Sequence, residues 1–173
     1  MHYFLSLGSN LGNRRANLGR ALAELKKARV KVLRSSSLYR TQPVGYAAQP
    51  WFYNQVVEVS TALEPAALLA LIKTVEKGLG RRPARKNRPR TIDIDILLAE
   101  ERVFSTRQLT VPHPRMAGRN FVLVPLLEIA PAAIHPSLKE KISDLHKRSQ
   151  DKSAVIKILD KAGRSPSKES RQP

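Results

Sequence analysis

The stretch PRTIDIDILL, at residues 89–98, constrains the fold and chemistry of this chain more than any other part of the sequence. Its isoleucines and leucines predict a β-strand over residues 91–98. Side chains alternate between the two faces of a strand, so Asp93 and Asp95 are expected to point to the same side. Because nearly all their neighbours are apolar, we predict that this strand is central in a sheet. Two like charges held together there cost free energy unless a cation neutralises them, which predicts a metal site.

The residues just before this strand supply positive charge. Six basic residues and no acidic one stand between positions 81 and 90, namely Arg81, Arg82, Arg85, Lys86, Arg88 and Arg90. Mg²⁺ in proteins usually binds between one or two carboxylates and the phosphates of a substrate. Arginine binds phosphate through two parallel hydrogen bonds. The pattern therefore favours a phosphate-binding loop, with Arg90 as the main catalytic cation, and a solvent-exposed run of charge is the alternative.

The composition narrows the class of protein further. The chain has 173 residues and no cysteine, which allows one domain with a full core and excludes disulfides, thiolate zinc sites and cysteine nucleophiles. No apolar run approaches the roughly 18 residues of a membrane span, and the N-terminal residues lack the features of a signal peptide. We therefore expect a cytoplasmic protein with no membrane partner. The net charge of +17 indicates an anionic partner, either nucleic acid or a polyphosphate nucleotide.

Strand and helix signals follow one another in the order β-α-β-β-α-β. Apolar periodicity predicts strands at residues 3–7, 30–39, 53–63 and 91–98, and helices after Asn13, after Glu64 and over residues 121–130. The second strand is expected to bury Val30, Val32 and Leu33. This order is typical of an α+β protein with ferredoxin-like αβα layers, in which helices flank one mixed or antiparallel sheet.

The domain prediction places a single catalytic domain at residues 1–149. Residues 150–173 are polar and basic, and we predict a mobile C-terminal extension there. A last short strand or helix at residues 155–159 is the alternative for part of this segment.

The glycines near the N-terminus do not form a known phosphate-binding motif. Residues 8–13 read GSNLGN, and the chain contains neither GxxxxGK(S/T) nor GxGxxG. We therefore predict that Gly8 belongs to a tight turn between the first strand and the first helix. A triphosphate would then have to be bound by side-chain cations and by metal.

Three other features suggest ligand binding. Residues 40–51 form a long irregular segment with two prolines and a glycine, which favours a binding or lid role over a plain connection. Phe52 and Asn54 follow at once, and an aromatic ring beside an amide suits a planar heterocycle. His113 stands between two prolines, where it is either structural or an oriented donor to phosphate.

Five short motifs carry a resemblance to a known family. They are LGSNLG at residues 7–12, SLYRT at 37–41, FYN at 52–54, PRTIDID at 89–95, and VPHP at 111–114 followed by Arg119 and Phe121. Together, over roughly residues 3–131, the chain resembles the 6-hydroxymethyl-7,8-dihydropterin pyrophosphokinases of folate biosynthesis. The resemblance implies a monomer that moves a pyrophosphoryl group from ATP to the pterin's hydroxymethyl oxygen and releases AMP, with two Mg²⁺ ions on Asp93 and Asp95.

The resemblance also implies three groups of site residues. The catalytic group is Arg81, Arg82, Arg90, Asp93 and Asp95. The ATP group is Glu76, Ile96, Thr110, His113 and Arg119. The pterin group is Thr41, Val44, Phe52, Asn54 and Phe121, with Asn54 at the heterocycle's edge and Phe121 stacked on it. The sequence departs from the family pattern at Lys73, Asn87 and Gln108, where a glutamine, an aromatic residue and an arginine are frequent.

Two alternative functions use the same residues. A nucleic-acid-binding module would use the positive charge, but the aromatic strand of common RNA-binding sheets is absent from the sequence. A two-metal phosphohydrolase would use Asp93 and Asp95, although two carboxylates are few for that reaction. Under the family interpretation the substrates are ATP and hydroxymethyldihydropterin, and no nucleic acid is required.

Overall fold

The computed structural model describes residues 1–45, 47–81 and 88–159. The strands are β1 (His2–Ser9), β2 (Lys31–Ser35), β3 (Tyr39–Thr41), β4 (Phe52–Ser60), β5 (Asp93–Ala99), β6 (Phe104–Ser105), β7 (Thr110–Val111), β8 (Ile134–His135), β9 (Glu140–Lys141) and β10 (Val155–Lys157). The helices are α1 (Arg14–Lys27), α2 (Pro65–Gly78), α3 (Asn120–Ile129) and α4 (Ile142–Arg148), with a 3-10 turn at Met116–Gly118. Arg82 and Asn87 lie outside the described residues.

The main sheet confirms the predicted α+β architecture. Its strand order is β10-β3-β4-β1-β5, and β2 also pairs with β4. All of these pairs are antiparallel. Both helices join strands that are not direct neighbours: α1 leads from β1 to β2, which pairs with β4, and α2 leads from β4 to β5, which pairs with β1.

The two faces of the sheet are covered by different helices. On one face α1 and α2 pack through leucine, isoleucine and valine side chains that include Leu25 and Ile72. On the other face α3 and α4 pack through Leu126 and Leu145. Burying both faces of one sheet gives the αβα layers that the sequence predicted.

The carboxylate strand is at the edge of the sheet, so the prediction of a central strand is wrong. β5 is the last strand of the order and pairs with β1. Its apolar character comes from the helices on both faces. Its outer edge is satisfied by other groups: the Ile94 N–H donates to Glu76 at 2.8 Å, and the Leu97 carbonyl accepts from the His113 N–H at 2.9 Å. Covering an edge in this way prevents strand addition from outside.

The predicted strand at residues 30–39 is divided into β2 and β3. Ser36 lies at the break, and its hydroxyl accepts a hydrogen bond from the Val56 N–H at 3.0 Å. Ser37 donates from both its N–H and its hydroxyl to Glu128. Serines that bond the chain in this way compete with regular strand pairing. Leu33 is 38% exposed rather than buried, because the pairing register shifts between Val32 and Arg34.

The first helix begins where the sequence predicted, but Gly8 does not belong to the turn before it. The Asn13 side chain accepts from the Ala16 N–H at 3.1 Å and caps α1. Gly12 has a φ of 62° and takes the turn conformation that favours glycine. Gly8 lies inside β1, where it pairs with β4 and β5.

Part of the predicted C-terminal extension is folded onto the sheet. β10 pairs with β3, so residues 150–159 are not a detached tail, and the short strand considered at residues 155–159 forms at Val155–Lys157. Residues 160–173 lie outside the described part, and the domain boundary at residue 149 stays a prediction. Within the described ranges, no helix combines the length and the apolar character needed to cross a bilayer.

Candidate active site

A cleft of about 330 Å³ lies on the sheet face that carries α3. It is formed by the ends of β1, β3 and β4, the start of β5, and the residues that lead into α3. Its lining contains Ser6, Gly8, Thr41, Gln42, Val44, Gln49, Phe52, Asn54, Lys73, Arg81, Arg90, Asp93, Asp95, Arg115, Arg119 and Phe121. Ten of the predicted site residues are therefore brought together here, from all three predicted groups.

The strand register explains how the acids and the amide come to share one surface. Gly8 lies opposite Asp93 on β5 and opposite Asn54 on β4. Directly opposed residues in a sheet point to the same face, so the three positions form a row across the sheet. Because Gly8 has no side chain, the Asn54 carboxamide can lie over the middle of the row, and Gly8 separates an acidic end of the cleft from an amide end.

At the acidic end, Asp93 is paired with two arginines. Arg90 Nη1 lies 2.6 Å from Asp93 Oδ2, and Arg81 Nη1 lies 2.7 Å from Asp93 Oδ1. Each guanidinium is only partly exposed, so these pairs are less screened by solvent than surface pairs. Arg90 therefore contacts the acid pair, and Arg81 joins it from beyond the end of α2. The catalytic role of Arg90 stays a prediction.

Asp95 lacks such partners. Among the described residues, none donates a hydrogen bond to its carboxylate. Burial, followed by repulsion from Asp93, raises its pKa to about 6. Lys73 and Arg119 act in the opposite direction but do not offset these effects. The described residues therefore compensate the negative charge of Asp95 poorly.

The donor set of the acid pair fits a hard divalent cation. Two carboxylates on one face supply oxygen ligands, and the raised pKa of Asp95 reflects burial and the repulsion between these two acids, which a cation would offset. Among the described residues, no group of three or more His, Cys, Asp or Glu side chains is arranged to enclose a metal ion. A cation here would therefore need further ligands from substrate and water, as Mg²⁺ commonly does.

Glu76, predicted as an ATP contact, is buried behind the cleft and engaged by protein groups. Its carboxylate accepts from the Ile94 N–H at 2.8 Å and from Lys73 Nζ at 3.0 Å, and it also pairs with Arg81. It therefore orients the edge strand and the arginine, and a direct contact with ATP stays a prediction.

The other end of the cleft combines an amide with aromatic rings. Asn54 Nδ2 donates to Thr41 Oγ1 at 2.5 Å, and both residues are buried. This bond fixes the Asn54 carboxamide and leaves its oxygen directed toward Gly8. Phe52 and Phe121 line the same end. The arrangement offers hydrogen bonding in one plane and stacking surfaces, as the sequence suggested for a planar heterocycle.

His113 lies beside the cleft as a neutral ring. Burial, followed by the charges of Arg119 and Arg115, lowers its pKa to about 4. Its Nδ1 accepts from the Arg115 N–H at 3.2 Å, so the ring proton must be on Nε2. A neutral histidine in this tautomer can donate one hydrogen bond without adding charge.

Two further predicted ATP residues are placed less favourably. Ile96 is 4% exposed and packs in the core with α1 and α2, so only its backbone is available to a ligand. Thr110 is exposed on β7, outside the cleft lining. Their predicted contacts with ATP are not tested by the geometry.

Asn10 connects two segments that border the cleft: residues 49–50, before β4, and Arg90, before β5. Its Nδ2 donates to Gln49 Oε1 at 2.9 Å and to the Pro50 carbonyl at 3.1 Å, and its Oδ1 accepts from the Arg90 N–H at 2.8 Å. The sequence indicated only a turn at this residue. Arg115, Gln42 and Gln49 were also missed, and for Arg115 the signal was available, since it is a basic residue two positions after His113.

The cleft thus holds cations and carboxylates at one end and an amide with aromatic rings at the other, an arrangement typical of an enzyme that acts on a phosphate-bearing and a planar substrate. Comparison with known families is consistent with this class. Residues 4–131 match the family described as 7,8-dihydro-6-hydroxymethylpterin-pyrophosphokinase (HPPK). The match covers well over half of the chain, so the chain belongs to this family.

Curated relatives agree with the family. The chain is 48% identical over 127 residues to the 2-amino-4-hydroxy-6-hydroxymethyldihydropteridine pyrophosphokinase of Bacillus subtilis (strain 168), covering 73% of this chain and 76% of the relative. It is 40% identical over 141 residues to the enzyme of the same name from Aquifex aeolicus (strain VF5), covering 82% and 88%. Against the folic acid synthesis protein fol1 of Pneumocystis carinii, identity is 41% over 133 residues, and the match spans only 18% of that longer relative.

Solved structures support the fold. The Plasmodium falciparum HPPK-DHPS wild type with pteroate superposes with a TM-score of 0.69 at 17% identity. The match covers 85% of this chain and 42% of that one. At this identity the likeness supports the fold alone.

Proposed function

We propose that this chain transfers the pyrophosphoryl group of ATP to the hydroxymethyl oxygen of 6-hydroxymethyl-7,8-dihydropterin, giving the pterin diphosphate and AMP in folate biosynthesis. Membership of the pyrophosphokinase family supports the reaction class. The observation that carries the assignment to this cleft is the row formed by Asp93, Gly8 and Asn54, which joins a phosphate end to a heterocycle end.

At the phosphate end we assign Asp93 and Asp95 to Mg²⁺ and expect two ions. Bound there, Mg²⁺ would neutralise phosphate charge and increase the acidity of the acceptor hydroxyl. The poorly compensated charge of Asp95 supports this assignment. It also explains why an acid pair is tolerated in a partly buried site.

Arg81 and Arg90 have a separate role in the proposal. In the structure, both guanidinium groups pair with Asp93. The phosphates of ATP offer them stronger bidentate partners, so nucleotide binding would exchange Asp93 for phosphate oxygens. The exchange leaves the arginines on the phosphate chain and frees the carboxylate to bind a cation.

The transfer itself forms a bond between the acceptor oxygen and the β-phosphorus and breaks the bond from that phosphorus to the α-phosphate, which leaves as AMP. The hydroxyl proton passes to the acid pair, whose two members are the carboxylates that line the described part of the cleft. Arginines and His113 stabilise the charge on the phosphates without taking this proton.

At the heterocycle end, Asn54 would hydrogen-bond the edge of the pterin while Phe121 stacks on its face. The bond from Asn54 to Thr41 fixes the carboxamide before the ligand arrives, which reduces the entropy lost on binding. Val44 and Phe52 complete this end. We further expect the enzyme to act in the cytoplasm as a monomer without nucleic acid.

The test is formation of AMP from ATP with and without the pterin and Mg²⁺. The proposal predicts AMP only when both are present, and loss of turnover in Asp95→Asn. Asp144→Asn, at an exposed acid on α4, is the matched control and should be fully active.

Release of phosphate without pterin would favour the phosphohydrolase, and full turnover in Asp95→Asn would end the metal assignment. Tight, steeply salt-dependent RNA binding without AMP formation would favour the nucleic-acid module.

A further inference from the structure

We propose that residues 151–158, here named the C-terminal strap, set the spacing between the two walls of the pterin pocket. One wall is β3 and β4 with Thr41 and Asn54, and the other is the start of α3 with Phe121. The inference rests on the pocket assignment proposed above. The strap lies beyond residues 4–131, the part of the chain that matches the family.

The first anchor of the strap is at the N-terminus of α3. Asp151 Oδ2 accepts from the Asn120 N–H at 2.7 Å, and the Asp151 carbonyl accepts from Asn120 Nδ2 at 2.6 Å. Arg119, the residue before the helix, provides no side-chain cap. A carboxylate from elsewhere therefore caps the helix, where negative charge is favoured. Asn120 directly precedes Phe121, so this anchor fixes the backbone of the stacking residue.

The carboxylate is itself held rigidly. Asp151 Oδ1 accepts from the Ser153 N–H at 2.8 Å and from the Ser153 hydroxyl at 2.6 Å. With both oxygens engaged, the side chain cannot rotate without losing bonds on both sides. The cap therefore transmits the position of the strap to the helix.

The second anchor is on the strand that carries Thr41. Val155 pairs with Thr41 across β10 and β3. The Gln42 N–H donates to the Ala154 carbonyl at 3.0 Å, and the Ile158 N–H donates to the Leu38 carbonyl at 2.8 Å. Hydrogen bonds thus run along the whole of β3, and the strap extends the pocket's strand wall.

The third anchor joins the strap to the other end of α3. Lys157 Nζ lies 3.1 Å from Glu128 Oε1. The same carboxylate accepts from the Ser37 hydroxyl at 2.7 Å and from the Tyr39 hydroxyl at 2.8 Å. The strap therefore contacts α3 near both ends and β3 between them, which fixes the helix relative to the strand.

The strap should affect the two ends of the cleft unequally. Its anchors are on α3 and β3, whereas Asp93, Asp95 and Arg90 are placed by β5 and the segment before it. Loosening the strap should weaken pterin binding and spare nucleotide binding. Asp151 also acts electrostatically on Arg119, which lines the cleft. A second variant at Lys157 is therefore needed to separate spacing from charge.

The experiment measures two dissociation constants by calorimetry in the full chain: that of a non-hydrolysable ATP analogue with Mg²⁺, and that of the pterin in its presence. Asp151→Ala should weaken pterin binding about tenfold, because the Asn120 N–H loses the acceptor that caps the helix. Asp151→Asn should weaken it less, since its amide oxygen still accepts from the Asn120 N–H. Lys157→Met should weaken it about threefold. Nucleotide affinity should stay within about twofold of the wild type in Lys157→Met, which leaves the charge that acts on Arg119 in place.

Lys152→Met is the matched control, since Lys152 is exposed within the same segment and should leave both constants unchanged. Thermal unfolding shows whether each variant is folded. If Asp151→Ala does not fold, Asp151→Asn takes its place in the comparison. Unchanged pterin affinity in the Asp151 and Lys157 variants, or equal weakening of both ligands, would overturn the proposal. Asn54→Ala distinguishes a wrong pocket from a wrong role for the strap. If Asn54→Ala binds pterin normally, the pocket itself is misassigned. If Asn54→Ala loses pterin affinity while the strap variants keep it, only the strap proposal is refuted.

Discussion

The carboxamide oxygen of Asn54 lies 2.6 Å from the position that a Cβ atom at Gly8 would occupy. Carbon and oxygen atoms that are not bonded do not approach so closely in folded proteins, so a side chain at residue 8 requires Asn54 to move. Asn54 is buried and hydrogen-bonded to Thr41, which limits that movement. Gly8 is therefore required by the neighbouring strand and not by a turn.

Gly8→Ala should weaken pterin binding by about tenfold or more, because displacing the amide loses an oriented hydrogen bond in a buried site. Gly19→Ala is the matched control, since an added methyl group there meets nothing within 4 Å. Gly19 is in α1, so its replacement should instead stabilise the fold by about 0.5–1 kcal/mol. Calorimetric titration with pterin and thermal unfolding of both variants give these values. Wild-type pterin affinity in Gly8→Ala would show that Asn54 does not bind the heterocycle.

Asp95→Asn should make the ligand-free protein more stable while removing its activity. The pKa of Asp95 is about 6 in the folded chain against an ordinary value of 3.8. The folded state therefore binds more protons between these values, and the free energy of unfolding falls as the pH rises through this window. At pH 7.5 the asparagine variant should be more stable by about 3 kcal/mol, and near pH 4 the difference should largely vanish.

Urea denaturation at the two pH values, without divalent cations, measures this difference. Asp144→Asn should change stability by no more than about 0.5 kcal/mol at either pH. If Asp95→Asn is less stable than the wild type at pH 7.5, the charge of the Asp95 carboxylate is well compensated in the folded chain. That result would contradict the reason given for placing a cation site there.

Glu76→Ala should be less stable than Glu76→Gln by about 1–3 kcal/mol, because the Ile94 N–H would lose its acceptor while buried. The glutamine side chain keeps an oxygen that can accept the hydrogen bond from the Ile94 N–H. Amide hydrogen exchange should show lost protection at Ile94 in the alanine variant alone. Glu24→Ala, at a half-exposed residue of α1 that pairs with Lys27 on the surface, should change stability by no more than about 0.5 kcal/mol and leave exchange at Ile94 unchanged. Equal protection at Ile94 in the two Glu76 variants would show that another group satisfies the strand edge.

Much of the fold could be predicted because its signals are local. The Asn13 cap and the proline that starts α2 mark helix starts directly, and the two-residue spacing of Asp93 and Asp95 fixes their common face. The position of β5 in the sheet could not be predicted in this way. Apolar neighbours indicate burial on two faces, and here the burial comes from helices on an edge strand.

The parts of the site that the sequence did not predict depend on contacts between distant residues. The requirement for Gly8 comes from the register that places it opposite Asn54, and register cannot be read from one strand. The cap of α3 comes from Asp151, which is 31 residues away from Asn120 in the chain. Such pairings are fixed by tertiary packing, and short motifs carry no signal for them.

The neutral state of His113 leads to a prediction about pH. Its pKa of about 4, below the ordinary 6.5, means that burial and the charges of Arg119 and Arg115 keep the ring unprotonated. Activity between pH 6 and 8 should therefore show no step that belongs to this residue. His113→Gln keeps a neutral donor and should retain more activity than His113→Leu. Between pH 6.5 and 4 the unfolded chain binds a proton at this histidine that the folded chain does not bind. The free energy of unfolding should therefore fall as the pH drops through this range.

The titration of His113 can be followed directly by NMR of the imidazole carbon-bound protons, with the His113→Gln spectrum identifying the signal. An inflection near pH 4 is expected. An inflection near 6.5 would mean that the ring becomes charged in the working range, and the proposed role of a neutral Nε2–H donor beside the phosphates would then be wrong. A normal titration together with loss of activity in both variants would instead favour a cationic histidine that pairs with phosphate.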